Sequence, residues 1–264
     1  MNGPSQKRVS SPISTGGEGV FFEQHVAAYW LAQLLVRSIP PILTDTGVTE
    51  VHFQTENLGF NTDDILVVCA RVGAAKARLV GQVKRSFTVS AADDECKKAI
   101  GDFWKDFKEA NPFNPQHDRF VLVTLRGTNT LLGHFVGLLD CARGAADGEE
   151  FERRLSLDGF ISRKSVHQCN ELCEIITKLE GTPVTAKDIW PFLRVLHILS
   201  LDLHTSTRQT EAHIKTLLAL KSTDPDPVSS ANAAWDALLT FASESGPAAR
   251  GEDEPIPGGS GGRA

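Results

Sequence analysis

Residues 61–86, NTDDILVVCARVGAAKARLVGQVKRS, decide the fold of this chain. Two apolar, strand-like runs at about 65–71 and 77–85 flank a short turn rich in glycine and alanine, the pattern of a β-hairpin. Side chains alternate between the two faces of a strand, so Gln82 and Lys84 project from the same face of the second run. The sequence therefore predicts two polar side chains side by side on a largely apolar strand.

Adjacent carboxylates, Asp63 and Asp64, open the first run, so the hairpin brings them to the end of the second run that carries Gln82 and Lys84. Carboxylate and amide oxygens bind hard cations, and a lysine beside such a cation can steady a water molecule or a phosphate oxygen. One interpretation is the centre of a metal-dependent phosphodiesterase. The other is a capped hairpin with a surface lysine.

Composition sets broad bounds on the chain. Its 264 residues, 41% of them hydrophobic, suit one large domain or one domain with an extension. The formal net charge of −6 argues against a wholly basic nucleic-acid coat, although a local basic groove is compatible with it. The five cysteines have no zinc-finger spacing and are expected to be reduced and buried. No signal peptide or long apolar segment stands out, so a cytoplasmic protein is expected.

Hydrophobic periodicity predicts a regular order of elements up to residue 142. A strongly apolar helix is expected first, followed by three strands, an amphipathic helix capped by Ser90, a fourth strand and a further helix. The fourth strand is a near-continuous apolar run, as expected for a central strand covered on both sides. This order predicts an α/β fold with a mixed sheet flanked by helices. The expected ranges are 19–37, 48–55, 65–71, 77–85, 90–111, 120–125 and 128–142.

Beyond a small, acidic segment at 144–150 the pattern is mainly helical. Residues 195–203 fit either a strand or a buried helix segment, and their length favours a strand. The predicted domain division is therefore a disordered tail at 1–14, a core at 15–145, a mainly helical extension at 146–244 that packs on the core, and a linker or disordered tail at 245–264. Helices in the extension are expected at 150–155, 163–179, 185–192, 206–221 and 230–243.

The roles of Glu23 and of the lysines on the amphipathic helix each have two interpretations. Glu23 lies on an apolar stripe of the first helix, where a carboxylate must be paired, protonated or bound to a metal. The alternative is a glutamate in the first turn, favoured by the helix dipole. The amphipathic helix after residue 90 carries lysines that form either a solvated face or a DNA contact. They are Lys97, Lys98, Lys105 and Lys108.

These residues together resemble the PD-(D/E)XK nuclease superfamily. Glu23 on a first helix, Asp64 at the start of a strand and Gln82-Val83-Lys84 on the next strand match the Q-x-K form found in Mrr-like restriction enzymes. The sequences FFEQHVAAYWLAQLL, TDDILVV and GQVKRS resemble more specifically the N-terminal nuclease domains of bacterial anti-phage effectors, including CD-NTase-associated endodeoxyribonucleases and STAND-type NTPases. The resemblance covers about residues 16–125. No proline precedes the aspartate, and Gln82 replaces the usual carboxylate, so the site has one negative charge fewer.

The resemblance implies a restriction-endonuclease-like fold and a metal-dependent endonuclease that cleaves double-stranded DNA, with Mg²⁺ as the cofactor and Mn²⁺ as a substitute. Asp64, the Gln82 amide oxygen and the Val83 carbonyl would hold the ion, and Glu23 would complete the shell directly or through water. Lys84 would position or help deprotonate the attacking water. Asp63 is a secondary candidate. Residues expected to contact the phosphate backbone are Arg78, Arg85 and Ser86.

The implied partners are a sensor or NTPase region in the same longer chain and further copies of the protein, since such effectors act as homo-oligomers. No membrane partner is expected. Two other functions stay open: a non-catalytic module with a nuclease-like fold that binds nucleic acid or protein, and a ligand sensor in which the C-terminal half carries the main function.

Overall fold

The centre of the molecule is a five-stranded mixed sheet. The computed structural model describes residues 12–245 except 54, 71–72, 74, 110–111, 126–129 and 204–206. Strands β1 to β5 lie in chain order across the sheet; β1, β2 and β3 are antiparallel neighbours, whereas β3, β4 and β5 are parallel. Their bounds are β1 Gly47–Phe53, β2 Ile65–Ala70, β3 Ala77–Lys84, β4 Arg119–Leu125 and β5 Leu196–Leu201.

Eight α-helices and one short 3-10 helix accompany the sheet in the described residues. The α/β fold predicted from the sequence, a mixed sheet flanked by helices, is confirmed. The helices are α1 Pro12–Val36, the 3-10 helix Thr55–Leu58, α2 Asp94–Glu109, α3 Thr130–Gly144, α4 Gly148–Ser156, α5 Arg163–Glu180, α6 Ala186–Val195, α7 Gln209–Lys221 and α8 Pro227–Ser245.

Two helix starts differ from the sequence-based expectation. Helix α1 begins at Pro12 rather than near residue 19, so the glycines at 16 and 17 lie within the helix. Helix α2 is capped by Asp93 rather than Ser90, because the Asp93 Oδ1 atom accepts a hydrogen bond from the Cys96 backbone N–H at 2.8 Å. Ser90 instead closes the preceding turn, where its hydroxyl oxygen accepts from the Ala92 N–H.

Each face of the sheet supports its own apolar core. Phe120 and Leu122 of β4 point toward the core formed with α2, α3, α5 and α6, while Val121 and Val123 point toward the core formed with α1, α7 and α8. All four side chains are almost completely buried. The prediction of a central strand covered on both sides is therefore confirmed for β4.

Gly81 lets the central strands approach each other closely. A Cβ atom at this position would lie 2.6 Å from the Ile65 Cγ2 atom and 3.0 Å from the Val121 Cγ1 atom. A side chain at this position would collide with the Ile65 and Val121 side chains, which lean over the glycine from the neighbouring strands. Because Gly81 directly precedes Gln82, this close packing also fixes the backbone from which Gln82 projects.

Residues after 146 share the central sheet with those before it. Strand β5 pairs in parallel with β4, and helices α7 and α8 pack against α1. Trp235 of α8 is 1% exposed within the core on that side of the sheet. The domain boundary at 145/146 stays a prediction.

The remaining structural expectations concern cysteines and membranes. All five cysteines are free thiols, with Cys69, Cys96 and Cys169 buried and the other two partly buried. None of the described helices is long and apolar enough to cross a bilayer.

Candidate functional site

The β2–β3 hairpin places the two carboxylates beside the polar end of β3. Ile65 pairs with Gly81, so the next position outward brings Asp64 opposite Gln82. The Val83 backbone N–H donates to the Asp64 Oδ2 atom at 2.6 Å, and the Gln82 Nε2 atom donates to the Asp63 Oδ1 atom at 2.9 Å. Asp63, Asp64 and Gln82 are thus joined across the open end of the hairpin.

Gln82 is fully buried, and its amide is only half satisfied. Its side-chain oxygen, Oε1, has no hydrogen-bond partner, although it is closed off from solvent. Buried polar atoms are nearly always paired, because an unmet group costs about 1–3 kcal/mol. Other buried side-chain atoms of the described residues also lack a partner, and this oxygen is distinguished by its position at the polar end of β3, next to the Asp64 contact.

The backbone of Val83 presents a second oxygen on the β2 side of β3. In an extended strand the N–H and C=O of one residue point to the same side. The Val83 N–H points toward Asp64, so its carbonyl also faces the end of β2. Strand β2 begins only at Ile65, so no β2 residue in the ladder lies opposite Val83.

Glu23 of α1 is electrostatically coupled to this group. Loss of hydration is the main reason that its pKa is raised; the negative charge of Asp64 raises it further, while the Lys84 ammonium lowers it. Burial likewise raises the pKa of Asp64 to about 6, with a smaller contribution from the charge of Asp63. The Val83 N–H and the two lysines Lys84 and Lys98 oppose that rise without cancelling it. Carboxylates with raised pKa values in one cluster are typical of functional sites.

Two lysines bring positive charge to the carboxylates from different elements. Lys84 ends β3 and is half-buried. Lys98 of α2 is more exposed, and its Nζ atom lies 3.5 Å from the Asp63 Oδ2 atom. The negative charge of Asp63 is the largest cause of the raised pKa of Lys98. Asp63 thus contacts both the buried Gln82 amide and Lys98, whereas Lys84 acts on the carboxylates of Asp64 and Glu23 through its charge.

A buried aspartate on α2 holds the turn that precedes Asp63. Asp106 is 1% exposed. Its Oδ1 atom accepts hydrogen bonds from the Asn61 backbone N–H at 2.7 Å and the Asn61 side-chain amide at 2.9 Å, and its Oδ2 atom accepts from the Thr62 N–H at 2.9 Å. Helix α2 thus anchors the backbone from which both carboxylates project.

Three sequence-based expectations need correction. Glu23 is exposed as a residue rather than buried along an apolar stripe, although its carboxylate is partly desolvated, and it lies beyond the first turn of α1, so the helix-dipole explanation is also wrong. Arg78, expected to contact the phosphate backbone, is instead engaged within the fold. Its guanidinium donates to the Asp118 Oδ2 atom at 2.7 and 3.0 Å, and it also donates to the Pro112 carbonyl.

The lysines of α2 do not form a purely solvated face, and their contact with DNA stays a prediction. Lys98 belongs to the site through Asp63, whereas the others pair with neighbouring acids outside it. Those pairs are Lys97 with Asp94, Lys105 with Asp102, and Lys108 with Glu180. Arg85 and Ser86 are exposed beyond the end of β3, and their contact with a phosphate backbone stays a prediction.

Sequence reasoning does not single out Asp106, although a signal for it exists. The residue lies three positions after Phe103 and seven after Ala99, so a helical plot places it on the apolar stripe of α2. A carboxylate on such a stripe needs buried donors. The donors themselves lie more than forty positions earlier in the chain, where no local pattern connects them to Asp106.

The donor set fits a hard divalent cation. Asp64, Gln82 Oε1 and the Val83 carbonyl are all oxygen donors, and the orphaned amide oxygen is the one that most requires a partner. Within the described residues, no three His, Cys, Asp or Glu side chains by themselves form a group able to hold a metal ion.

Comparisons with known proteins find similarity to solved structures only at low sequence identity. No protein-family model matches it, and no curated protein does. Its similar solved structures include a Cap4 SAVED/CARF-domain containing receptor of Acinetobacter baumannii with the cyclic trinucleotide 3'3'3'-cAAA, at 12% identity and a TM-score of 0.43, covering 91% of this chain and 42% of that one.

The corresponding Cap4 SAVED/CARF-domain containing receptor of Moraxella osloensis is 16% identical with a TM-score of 0.41, and the match covers 86% of this chain and 43% of that chain. The chain thus spans less than half the length of either receptor. TM-scores this low do not support a functional inference, so any function must be argued from the side chains described above.

Proposed function

We propose that the chain is a metal-dependent endodeoxyribonuclease that hydrolyses phosphodiester bonds in DNA. The observation that carries the proposal is the buried, unpartnered oxygen of Gln82 beside Asp64, whose pKa is raised by burial to about 6. A divalent cation would stabilise both the buried oxygen that has no hydrogen-bond donor and the ionised form of the buried Asp64 carboxylate.

Asp64, the Gln82 amide oxygen and the Val83 carbonyl are the groups that would hold Mg²⁺ or Mn²⁺, with Glu23 completing the shell directly or through water. The bound ion would supply Lewis-acid stabilisation of charge on a phosphate oxygen. Lys84, at the end of β3, would orient the attacking water and stabilise negative charge as it develops. The Val83 N–H keeps the Asp64 carboxylate turned toward β3.

The wider setting follows from the sequence resemblance. We propose that this region is the effector domain of a bacterial anti-phage defence protein, with double-stranded DNA as its substrate and with a sensor or NTPase region in a longer chain. Activity would then depend on assembly into a homo-oligomer.

A second candidate is a non-catalytic module that keeps the fold and only binds a partner. It is favoured by the way in which the carboxylates are already satisfied. Asp63 receives the Gln82 amide and lies 3.5 Å from Lys98, and Asp64 receives the Val83 N–H. A network of this kind can also serve purely to lock a hairpin.

Plasmid cleavage by the full chain separates the two candidates. With Mg²⁺ we expect nicked and linear products, and with EDTA we expect none. Lys84→Ala should lower the rate by about 100-fold, the usual scale for one preorganised charge, and Asp64→Ala should abolish cleavage except at high Mg²⁺. Lys76→Ala is the matched control, because Lys76 pairs with Glu50 at the other end of β3.

Cleavage by Lys84→Ala at the parent's rate would contradict the nuclease assignment at this motif. The binding module predicts a different pattern, in which the parent cuts no plasmid under any metal condition and yet shifts a DNA fragment in a gel. A thermal-shift titration with a cyclic trinucleotide, the ligand named for one of the similar receptors, tests a sensing role alongside it.

A further inference from the structure

We infer that Asp63 is a positioning residue and not a metal ligand: it fixes the amide of Gln82 so that the oxygen, rather than the nitrogen, is presented to the cation. The inference rests on the proposed function, because it assigns a role within the same site. It concerns Gln82, the proposed metal ligand whose side-chain amide has two chemically different ends.

The direction of the Gln82 amide follows from the chemistry of its partner. A primary amide has a donor end and an acceptor end, whereas an ionised carboxylate only accepts hydrogen bonds. The Asp63 Oδ1 atom lies 2.9 Å from the amide nitrogen of Gln82. The reversed amide would place two acceptor oxygens at that distance, so the nitrogen faces Asp63 and the oxygen faces away.

Asp63 is itself held from both sides, which makes it an effective anchor. Its Oδ1 atom binds β3 through Gln82, and its Oδ2 atom lies 3.5 Å from the Lys98 ammonium on α2. The turn that carries it is fixed by Asp106 through the Asn61 and Thr62 N–H groups. The amide orientation is therefore tied to the packing of α2 against the sheet.

The free oxygen is the expected consequence of this arrangement. Oε1 of Gln82 is buried and has no donor, while Nε2 of the same amide is satisfied. A carboxylate at position 82 would present two equivalent oxygens and would need no such orientation. A carboxylate presents an oxygen to the cation in either orientation, whereas the glutamine amide does so only when Asp63 holds its nitrogen.

A double-mutant cycle on Mn²⁺ binding tests the inference without any turnover. Isothermal titration calorimetry is carried out on the full chain with the metal alone. An asparagine at position 63 can turn either its oxygen or its amide toward Gln82, so Asp63→Asn should raise the Kd for Mn²⁺ by about 10-fold or more. In the Gln82→Glu background the same substitution should raise the Kd less than about twofold or lower it, since a carboxylate at position 82 needs no orienting partner.

The cycle separates orientation from simple loss of charge. Losing one negative charge near the cation would weaken binding by the same factor in both backgrounds, and that equality would overturn the inference while leaving the metal site intact. A parent chain that binds no Mn²⁺ would overturn the inference and the proposed function together. Asp94→Asn is the matched control, because it removes an aspartate that pairs with a lysine of α2 away from Gln82.

Folding of every variant is checked by its thermal melting curve. Should Asp63→Asn fail to fold, Asp63→Ser replaces it in the cycle, because a hydroxyl also both donates and accepts and so removes the orientation preference. The expected result is again a loss of Mn²⁺ affinity that disappears in the Gln82→Glu background.

Discussion

At the scale of single residues, Asp64 has an environment that disfavours the ionised form of its carboxyl group. Burial, and then the neighbouring Asp63 carboxylate, raise its pKa from 3.8 to about 6. The folded chain therefore keeps a proton on Asp64 in a pH range where the unfolded chain has lost it. Such a residue destabilises the fold at neutral pH unless a cation compensates for it.

Replacement of Asp64 should consequently stabilise the metal-free protein. The folded pKa lies above the unfolded one, so stability is lost as pH rises from about 4 through about 6. We expect Asp64→Asn, measured in EDTA by urea unfolding, to raise the free energy of unfolding at pH 7.5 by up to about 3 kcal/mol. The gain should vanish near pH 4, and a constant gain across this range would contradict the assignment.

Asp94 provides a control, because its pKa is shifted in the opposite direction to that of Asp64. The hydrogen bond from Lys97 lowers the pKa of this exposed carboxyl, so its contribution to stability is present at neutral pH and is lost as pH falls through its folded pKa. Asp94→Asn should slightly destabilise the protein at pH 7.5 and should have no effect in strong acid. The two variants together distinguish a buried, repelled carboxylate from a paired one.

At the scale of elements, the β2–β3 hairpin is the part that the sequence predicts best. Alternation of side chains along 77–85 places Gln82 with Lys84, and the hairpin register then brings Asp64 opposite Gln82. Both steps use only local periodicity and one short turn. For the same reason, strands β1 to β4 lie close to their expected ranges, whereas α1 and α2 begin at other residues than expected.

Contacts between distant elements could not be predicted in this way. The pairing of Lys98 with Asp63, the capture of Arg78 by Asp118 and the three bonds to Asp106 depend on how α2 and the following loop pack against the sheet. The hydrophobic pattern predicts which face of α2 is buried. It does not predict which polar groups of other segments contact that face. Arg78 was therefore expected in the DNA interface, although it serves the fold.

The connection between α2 and the hairpin is tested by Asp106→Ala. The substitution leaves the buried Thr62 N–H and the partly buried Asn61 N–H without an acceptor, and a buried unsatisfied group costs about 1–3 kcal/mol. We expect a loss of about 3 kcal/mol in the free energy of unfolding, measured with urea, together with weaker Mn²⁺ binding because the turn before Asp63 is released.

Glu109 offers the matched comparison for Asp106. It also approaches the Asn61 side chain, at 3.5 Å, but it is exposed on the last turn of α2. Glu109→Ala should change stability by less than about 0.5 kcal/mol, as is usual for surface substitutions. A loss for Asp106→Ala as small as that for Glu109→Ala would mean that Asp106 does not anchor the turn.

At the scale of the whole molecule, the site depends on residues far from it in the chain. Strand β5 covers the edge of β4, and α7 and α8 cover the outer side of α1, the helix that carries Glu23. The core on that side of the sheet includes Trp30 and Trp235, both almost fully buried. The residues after 146 therefore complete the core that supports α1 and the first three strands.

Truncation tests whether the extension is part of the same folding unit. A chain ending at Ala146 would lose β5 and leave the apolar strand β4 as an exposed edge, which favours aggregation. It would also uncover the face of α1 that packs on Trp235, at about 1.5–3 kcal/mol for each large apolar side chain exposed. We expect no cooperative thermal transition by circular dichroism and a large void-volume fraction in size-exclusion chromatography, whereas residues 12–245 should melt as one unit. A shortened chain that melts cooperatively and still binds Mn²⁺ would instead establish an independent core that ends near residue 145.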